Sequence, residues 1–329
     1  MKNLRAAVIG AGSFGRNHVR VLSRFPGVEL AAIVDSDFEK ARQLAEEHHS
    51  HSFPSLDLLP PGIDAAIVAT PTVTHEAVAT RLLESGVDVL VEKPIAESAA
   101  AGERLAKVAQ QQGRVLQAGH LERFNPAITA VEKVLTIPLF FEIHRLSVFT
   151  PRSLDIDVVL DLMIHDLDIV LSFTQAMPEE IRAAGISVLS PKVDIANVRL
   201  SFASGCIANL TASRISTERV RKLRLFQPGE YLTVDYQRQE AARLAIRKNE
   251  PNSKFVPQIA FEQLPVTSGE PLQLELAAFF DAVRQRTHPL VDAVQATNAL
   301  RVAEAILAKI KEHADLVGQT IRSRQPSTG

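Results

Sequence analysis

The stretch that most constrains what this chain can fold into is its first fifteen residues. Leu4 to Ile9 is a short apolar run rich in small and β-branched residues, as a strand buried on both faces requires. It leads directly into Gly10-Ala11-Gly12-Ser13-Phe14-Gly15 and then into a helical pattern carrying Phe14, Val21, Leu22 and Phe25. Strand, glycine loop and helix in that order form the setting of a dinucleotide-binding turn. Gly10 permits the tight turn, Gly12 lets the backbone approach a pyrophosphate, and Gly15 lets helix and strand pack closely. The phosphates then rest on the free N–H groups of the helix N-terminus, which brings Ser13 and Phe14 into the cofactor-binding set. A second strand over 28–34 ends in Asp35, about 20 residues past Gly15, where an acid binds the adenosine ribose hydroxyls. Its charge repels a 2′-phosphate, and no Arg or Lys adjoins Ser36. NAD is therefore the expected cofactor and NADP the less favoured one.

Strands and helices then keep alternating. Helices are expected over 37–49, 74–85 and 96–111, and strands over 63–70, 87–91 and 114–119. That is a doubly wound parallel sheet, whose ligands bind at the carboxyl ends of the strands. Gly12, Asp35, Thr70, His75 and Lys93 all project there. Lys93 follows a strand and Glu92 and precedes Pro94. Beside a nicotinamide its ammonium can stabilise an alkoxide or relay a proton; the plain alternative is a lysine paired to Glu92. His48, His49 and His51 lack partner acids at ligand spacing and read as a solvated helix end, and no metal site is expected.

The stretch 159–173 is apolar enough for a buried helix yet carries Asp161, His165, Asp166 and Asp168. At ~100° per residue, Asp161, His165 and Asp168 share one face. Buried charges without partners cost several kcal/mol, so that face must meet a ligand, water or partners. A catalytic face, a structural Asp–His pair and a metal site all satisfy this. Around the helix, 139–149, 180–189, 197–202, 206–213, 220–226 and 231–236 alternate apolar with polar residues, as an antiparallel meander does. Its second face is left for a partner subunit. Arg214, Arg219, Arg221, Lys222 and Arg224 concentrate charge. They would either recognise an anionic substrate group or guard a sheet edge. Two helices, 272–286 and 291–311, close the chain ahead of a polar tail from Ser323.

Composition sets the outer limits. A formal net charge of −2 gives no reason to expect nucleic acid or an anionic membrane as partner. One cysteine excludes an internal disulfide and fits a reducing, cytoplasmic setting, and no run of 18 apolar residues spans a membrane.

Taken together, these residues resemble the Gfo/Idh/MocA family of sugar and cyclitol oxidoreductases. The similarity lies in the glycine loop, Thr70-Pro71 with His75, Glu92-Lys93-Pro94, the Gly-His-x-x-Arg-Phe-x-Pro stretch at 119–126, and the Asp-x-x-x-His helix of Asp161 and His165. It implies an NAD-binding Rossmann domain over 1–121 and an α/β domain with a large, mostly antiparallel open sheet over 122–329. That second domain forms homodimers or homotetramers, with the last helix (about 291–313) returning to the first domain. It also implies Lys93, Asp161 and His165 as the catalytic set. Gly10, Gly12, Ser13, Phe14, Gly15, Asp35, Thr70, Pro71, His75, Glu92 and Lys93 would hold the cofactor. Substrate would meet Lys93, His120, Arg123, Asn125, Asp161 and His165. Within the family, 119–127 and 160–168 look most like the UDP-N-acetylglucosamine 3-dehydrogenase subgroup, which serves lipid A or other surface glycans. Glu122 before Arg123 departs from the paired arginines of many inositol and glucose members. A free-sugar or inositol dehydrogenase and a non-catalytic NAD-binding sensor are the competing readings.

Overall fold

In the computed structural model, residues 3–150, 154–247 and 258–324 are described; the polar tail from 325 onward lies outside them. The elements run β1 (Leu4–Ile9), α1 (Ser13–Leu22), β2 (Val28–Val34), α2 (Phe38–Glu47), β3 (Ser52–Phe53), β4 (Ala65–Val68), α3 (His75–Glu84), β5 (Asp88–Glu92), α4 (Ala99–Gln112) and β6 (Leu116–Gly119). There follow α5 (Pro126–Glu132), β7 (Phe140–Val148), a π turn (Val159–Met163), α6 (Ile164–Thr174), β8 (Glu180–Ile186), β9 (Ile195–Ser201) and β10 (Ile207–Ser216). The chain continues through β11 (Val220–Gln227), β12 (Glu230–Asp235), β13 (Glu240–Arg247), β14 (Gln258–Gln263), α7 (Pro271–Gln285) and α8 (Ala293–Arg324).

The chain divides into two compact units, one made of residues up to 124 plus 270–298 and the other of 125–269 plus 299 onward. The first holds a parallel six-stranded sheet in the order β3-β2-β1-β4-β5-β6, the doubly wound order of a Rossmann fold. Its strands are buried on both faces, and Ala6, Val8, Ile33 and Ile67 are sealed in its core. The segment that returns to this unit is α7 with the start of α8, not the last helix as a whole. Leu276, Phe279, Phe280 and Val283 of α7 pack with Val21, Leu22 and Val28 of the first core, each such burial being worth about 1.5–3 kcal/mol. Val302, Ile306 and Ile310 of α8 instead join the core of the second unit.

The second unit carries an eight-stranded sheet in the order β14-β13-β12-β11-β7-β10-β9-β8, antiparallel except where β7 meets β10. Strands β13 and β14 extend it beyond the meander expected to end near residue 236. Because β11 lies between β12 and β7, its basic residues guard no edge. Val158, Val159, Met163, Leu167 and Val170 lie in one core with Phe141 and Ile143 of β7 and Val198 and Leu200 of β9.

Candidate active site

In the first unit the glycine loop is built by backbone necessity. Gly10 has φ +103°, and a Cβ there would stand 2.5 Å from the Ala69 carbonyl oxygen. A Cβ on Gly15 would fall 1.8 Å from the Gly10 oxygen, so no other residue fits without moving the loop. At Gly12 a Cβ would meet nothing within 4 Å, and Gly12 caps α1 without a side-chain hydrogen bond. The helix thus presents bare N–H groups toward open space, as a pyrophosphate requires. Asp35 directly follows β2, and its carboxylate accepts the N–H groups of Ala11 (2.6 Å) and Asp37 (2.8 Å). Each oxygen keeps a second lone pair for a ribose hydroxyl. One side chain therefore fixes the loop and keeps acceptor capacity beside it.

Thr70, Pro71 and His75 form a second loop. Thr74 Oγ1 donates to Thr70 Oγ1 at 2.8 Å, and the buried His75 ring lies 2.8 Å from the Thr70 carbonyl oxygen and 2.9 Å from that of Pro94. Burial pushes the His75 ring below its ordinary value, against the pull of both carbonyls and of Glu92. His75 is thus a staple between the β4 loop and the Glu92-Lys93-Pro94 turn. In that turn the Lys93–Pro94 bond is cis, and the Lys93 ammonium stands over the Phe14 ring, 5.9 Å from its centre. Phe14 is 54% exposed, a large apolar ring held open on the glycine loop. His120 and Arg123 follow β6 and are buried.

In the second unit, Asp161 lies in the π turn and His165 one residue into α6, both half-buried, with Asp168 buried behind them. The helix expected over 159–173 is corrected here: its first turn, Val159–Met163, is a widened π turn and the α-helix proper starts at Ile164, a device that recurs at functional sites. Both of its ends are anchored. Asp157 accepts the Val193 N–H at 2.8 Å, Val158 donates to the Val193 carbonyl at 2.9 Å, and Arg214 donates to the Ile156 carbonyl. After the turn, Asp166 holds Arg145 through two parallel bonds of 2.7 Å, both side chains 2% exposed, with the Tyr236 ring 5.1 Å from the guanidinium. Asp194 locks the neighbouring loop by accepting the N–H groups of Val188, Leu189 and Ser190 at 2.7–3.0 Å. Burial opposes its charge, but these donors win and hold the Asp194 carboxyl down to about 2.

Some expectations change. Asn125 gains a structural task beside the expected one: its carboxamide caps α5 (Ala127 N–H, 3.1 Å) and donates to the Tyr236 carbonyl (3.1 Å). The basic residues do not act as one cluster: Arg214 is a buried anchor beside Asp194, and Arg224 pairs with Glu142 at 3.0 Å on the exposed sheet face. Arg145, His18 and Glu275 escaped the sequence reading, although Arg145 follows Phe141 and Ile143 at the inward positions of β7. Likewise, Gly15, His18, Val19 and Leu22 form the buried face of α1.

Comparison with known proteins is consistent with this geometry. Residues 4–120 match the Gfo/Idh/MocA oxidoreductase family, NAD-binding Rossmann fold, and residues 141–227 match its C-terminal domain. The chain is 34% identical over 304 residues to the UDP-N-acetylglucosamine 3-dehydrogenase of Acidithiobacillus ferrooxidans, spanning 92% of this chain and 96% of that one. The chain belongs to the Gfo/Idh/MocA family. As a member it is an NAD-dependent oxidoreductase acting on CH–OH groups, with its NAD site in the first unit. It is also 26% identical to the scyllo-inositol 2-dehydrogenase (NAD(+)) of Bacillus subtilis, over 92% of each chain. A solved structure of the Acidithiobacillus enzyme superimposes with a TM-score of 0.88 at 33% identity, covering 95% of this chain and 99% of that one. Levoglucosan dehydrogenase, at 15% identity, shares the fold with a TM-score of 0.83 over 95% of this chain and 98% of that one.

Proposed function

We propose that the chain oxidises the C3 hydroxyl of UDP-N-acetylglucosamine, with Lys93, Asp161 and His165 as its catalytic residues. The observation that carries the substrate reading is 34% identity, over 92% of the chain, to an enzyme of that name; the three residues are those the family resemblance implies. NAD⁺ held by the glycine loop and Asp35 would supply the hydride acceptor for C3. His165 takes the hydroxyl proton, Asp161 orients the ring or holds a neighbouring hydroxyl, and the Lys93 ammonium stabilises the developing alkoxide. The products are the 3-keto sugar nucleotide, NADH and one proton. Among the remaining expected contacts, His120 and Arg123 support the substrate, and Phe14 packs against the nicotinamide. The exposed face of the eight-stranded sheet, with Lys222 and Arg224 pointing outward, pairs with a second copy; light scattering checks that assembly.

The test is NADH formation by the purified protein with UDP-N-acetylglucosamine, inositol and glucose, an aminotransferase and glutamate being added to draw off the ketone. Turnover confined to the nucleotide sugar supports the reading. Turnover of inositol alone replaces the substrate, and silence with NAD⁺ bound favours a sensor.

A further inference from the structure

Below Lys93, the first unit holds three ionisable side chains that this chemistry leaves without a task. His18 of α1 is 1% exposed, Glu275 of α7 is 1% exposed, and the Glu92 side chain at the end of β5 is 12% exposed. His18 Nε2 lies 2.7 Å from Glu92 Oε1. An ionised carboxylate only accepts, so Nε2 carries the proton and donates. Burial resists charge on Glu92. The His18 hydrogen bond, the electrostatic pull of His18 and Lys93, and the Lys93 backbone N–H outweigh it and hold the carboxyl below its usual range. Glu92 is also confined: a Cβ on Gly119 would lie 3.2 Å from its Cα and its Oε2, so the glycine leaves the carboxylate its room.

Glu275 has the opposite surroundings. Its Oε1 is buried without a hydrogen-bond partner. Burial, and then the charge on Glu92, push its carboxyl well above the ordinary value. Gln117 Nε2 donates to the Glu275 backbone carbonyl at 3.3 Å and holds that turn of α7 at β6. Two carboxyls in a dry site cannot both ionise, and the proton stays on the one with fewer donors. The other titratable ring facing Glu92 is His75 of α3, already engaged by the Thr70 and Pro94 carbonyls.

We propose that His18, Glu92 and Glu275 work as one positioning unit for Lys93. Glu275 keeps a proton, His18 clamps Glu92, and the negative charge left on Glu92 holds the Lys93 side chain in place. His18 and Glu275 act through Glu92, and the proposal rests on the reading of Lys93 as the alkoxide stabiliser.

Two measurements need no sugar substrate. Infrared difference spectra of wild type against Glu275→Gln should show the carbonyl band of a protonated carboxylic acid that only the wild type has. Modification of Lys93 by an amine-reactive reagent, read by mass spectrometry, should run severalfold faster in Glu92→Gln, because the carboxylate that attracts and holds the ammonium is gone. A third arm uses turnover. His18→Phe should lower kcat about tenfold or more, as loss of a hydrogen bond to a charged group does, and move the acid limb of the kcat profile to higher pH. His18→Gln keeps a donor and should recover most of the rate and the limb. If no sugar is turned over, the first two arms still read the unit, so a wrong substrate and a wrong unit are told apart. The unit is overturned by a wild type without the band, by a band that survives Glu275→Gln, or by unchanged Lys93 labelling. Equal loss in His18→Phe and His18→Gln with an unmoved limb also overturns it, because His18 is then only packing.

Discussion

The candidate residues of the two units are held by different means. In the first unit the cofactor loop is made by local backbone geometry, with Gly10 and Gly15 shaped by contacts a Cβ would forbid and Asp35 closing on Ala11. In the second unit Asp161 and His165 owe their placement to partners far along the chain. Arg145 reaches Asp166 across 21 residues, Val193 reaches Asp157 across 36, and Arg214 reaches Ile156 across 58. A phosphate loop is read by its backbone, so its sequence is nearly its structure. A reactive imidazole must be aimed, and aiming is done by whatever packs against its helix.

That contrast can be broken most sharply at His165. His165→Ala should lower kcat by about 10²–10⁴ while the Kd for NAD⁺ stays within about twofold, as steady-state kinetics and NAD⁺ titration would show. A matching collapse of NAD⁺ binding would contradict the division. Next is the anchor: Arg145→Met strands the buried Asp166 carboxylate and should cost about 3–5 kcal/mol in thermal or denaturant unfolding, while Arg145→Met with Asp166→Leu recovers most of it.

The third effect is a pH dependence. Asp194 has a folded value of about 2 against an ordinary 3.8, so its stabilisation, about 2 kcal/mol, is fully present above pH 4 or so. It is lost as pH falls toward 2. Unfolding followed across that window should show the slope in wild type and lack it in Asp194→Asn. Smallest is Asp35→Asn, which keeps the acceptor but removes the charge and should narrow the preference for NAD⁺ over NADP⁺ about tenfold, or ~1.4 kcal/mol.

These effects track what could be read in the sequence. The glycine loop, Asp35 and the Glu92-Lys93-Pro94 turn were legible because each depends on residues a few positions apart. The helix carrying Asp161 and His165 was legible as a polar stripe on an apolar run, but its π turn was not. The widened turn is flanked by the Arg214–Ile156 and Arg145–Asp166 contacts, and neither pair is signalled locally in the sequence. Strand β13 was missed because Glu240 to Arg247 alternates only weakly. Asn125-Pro126 carried a helix-start signal that went unread, a capping residue followed by proline at the first helical position. His18 and Glu275 lie in patterns that read as ordinary helix faces, and only the fold brings them to Glu92.

Hydride transfer from C3 can be followed by isotope. UDP-N-acetylglucosamine carrying deuterium only at C3 is incubated with the protein and NAD⁺, and the reduced nicotinamide is examined by mass spectrometry. One deuterium should appear on the nicotinamide, and turnover should be slower than with the unlabelled sugar. NADH formed without deuterium, or none formed while inositol is oxidised, would contradict hydride transfer from C3.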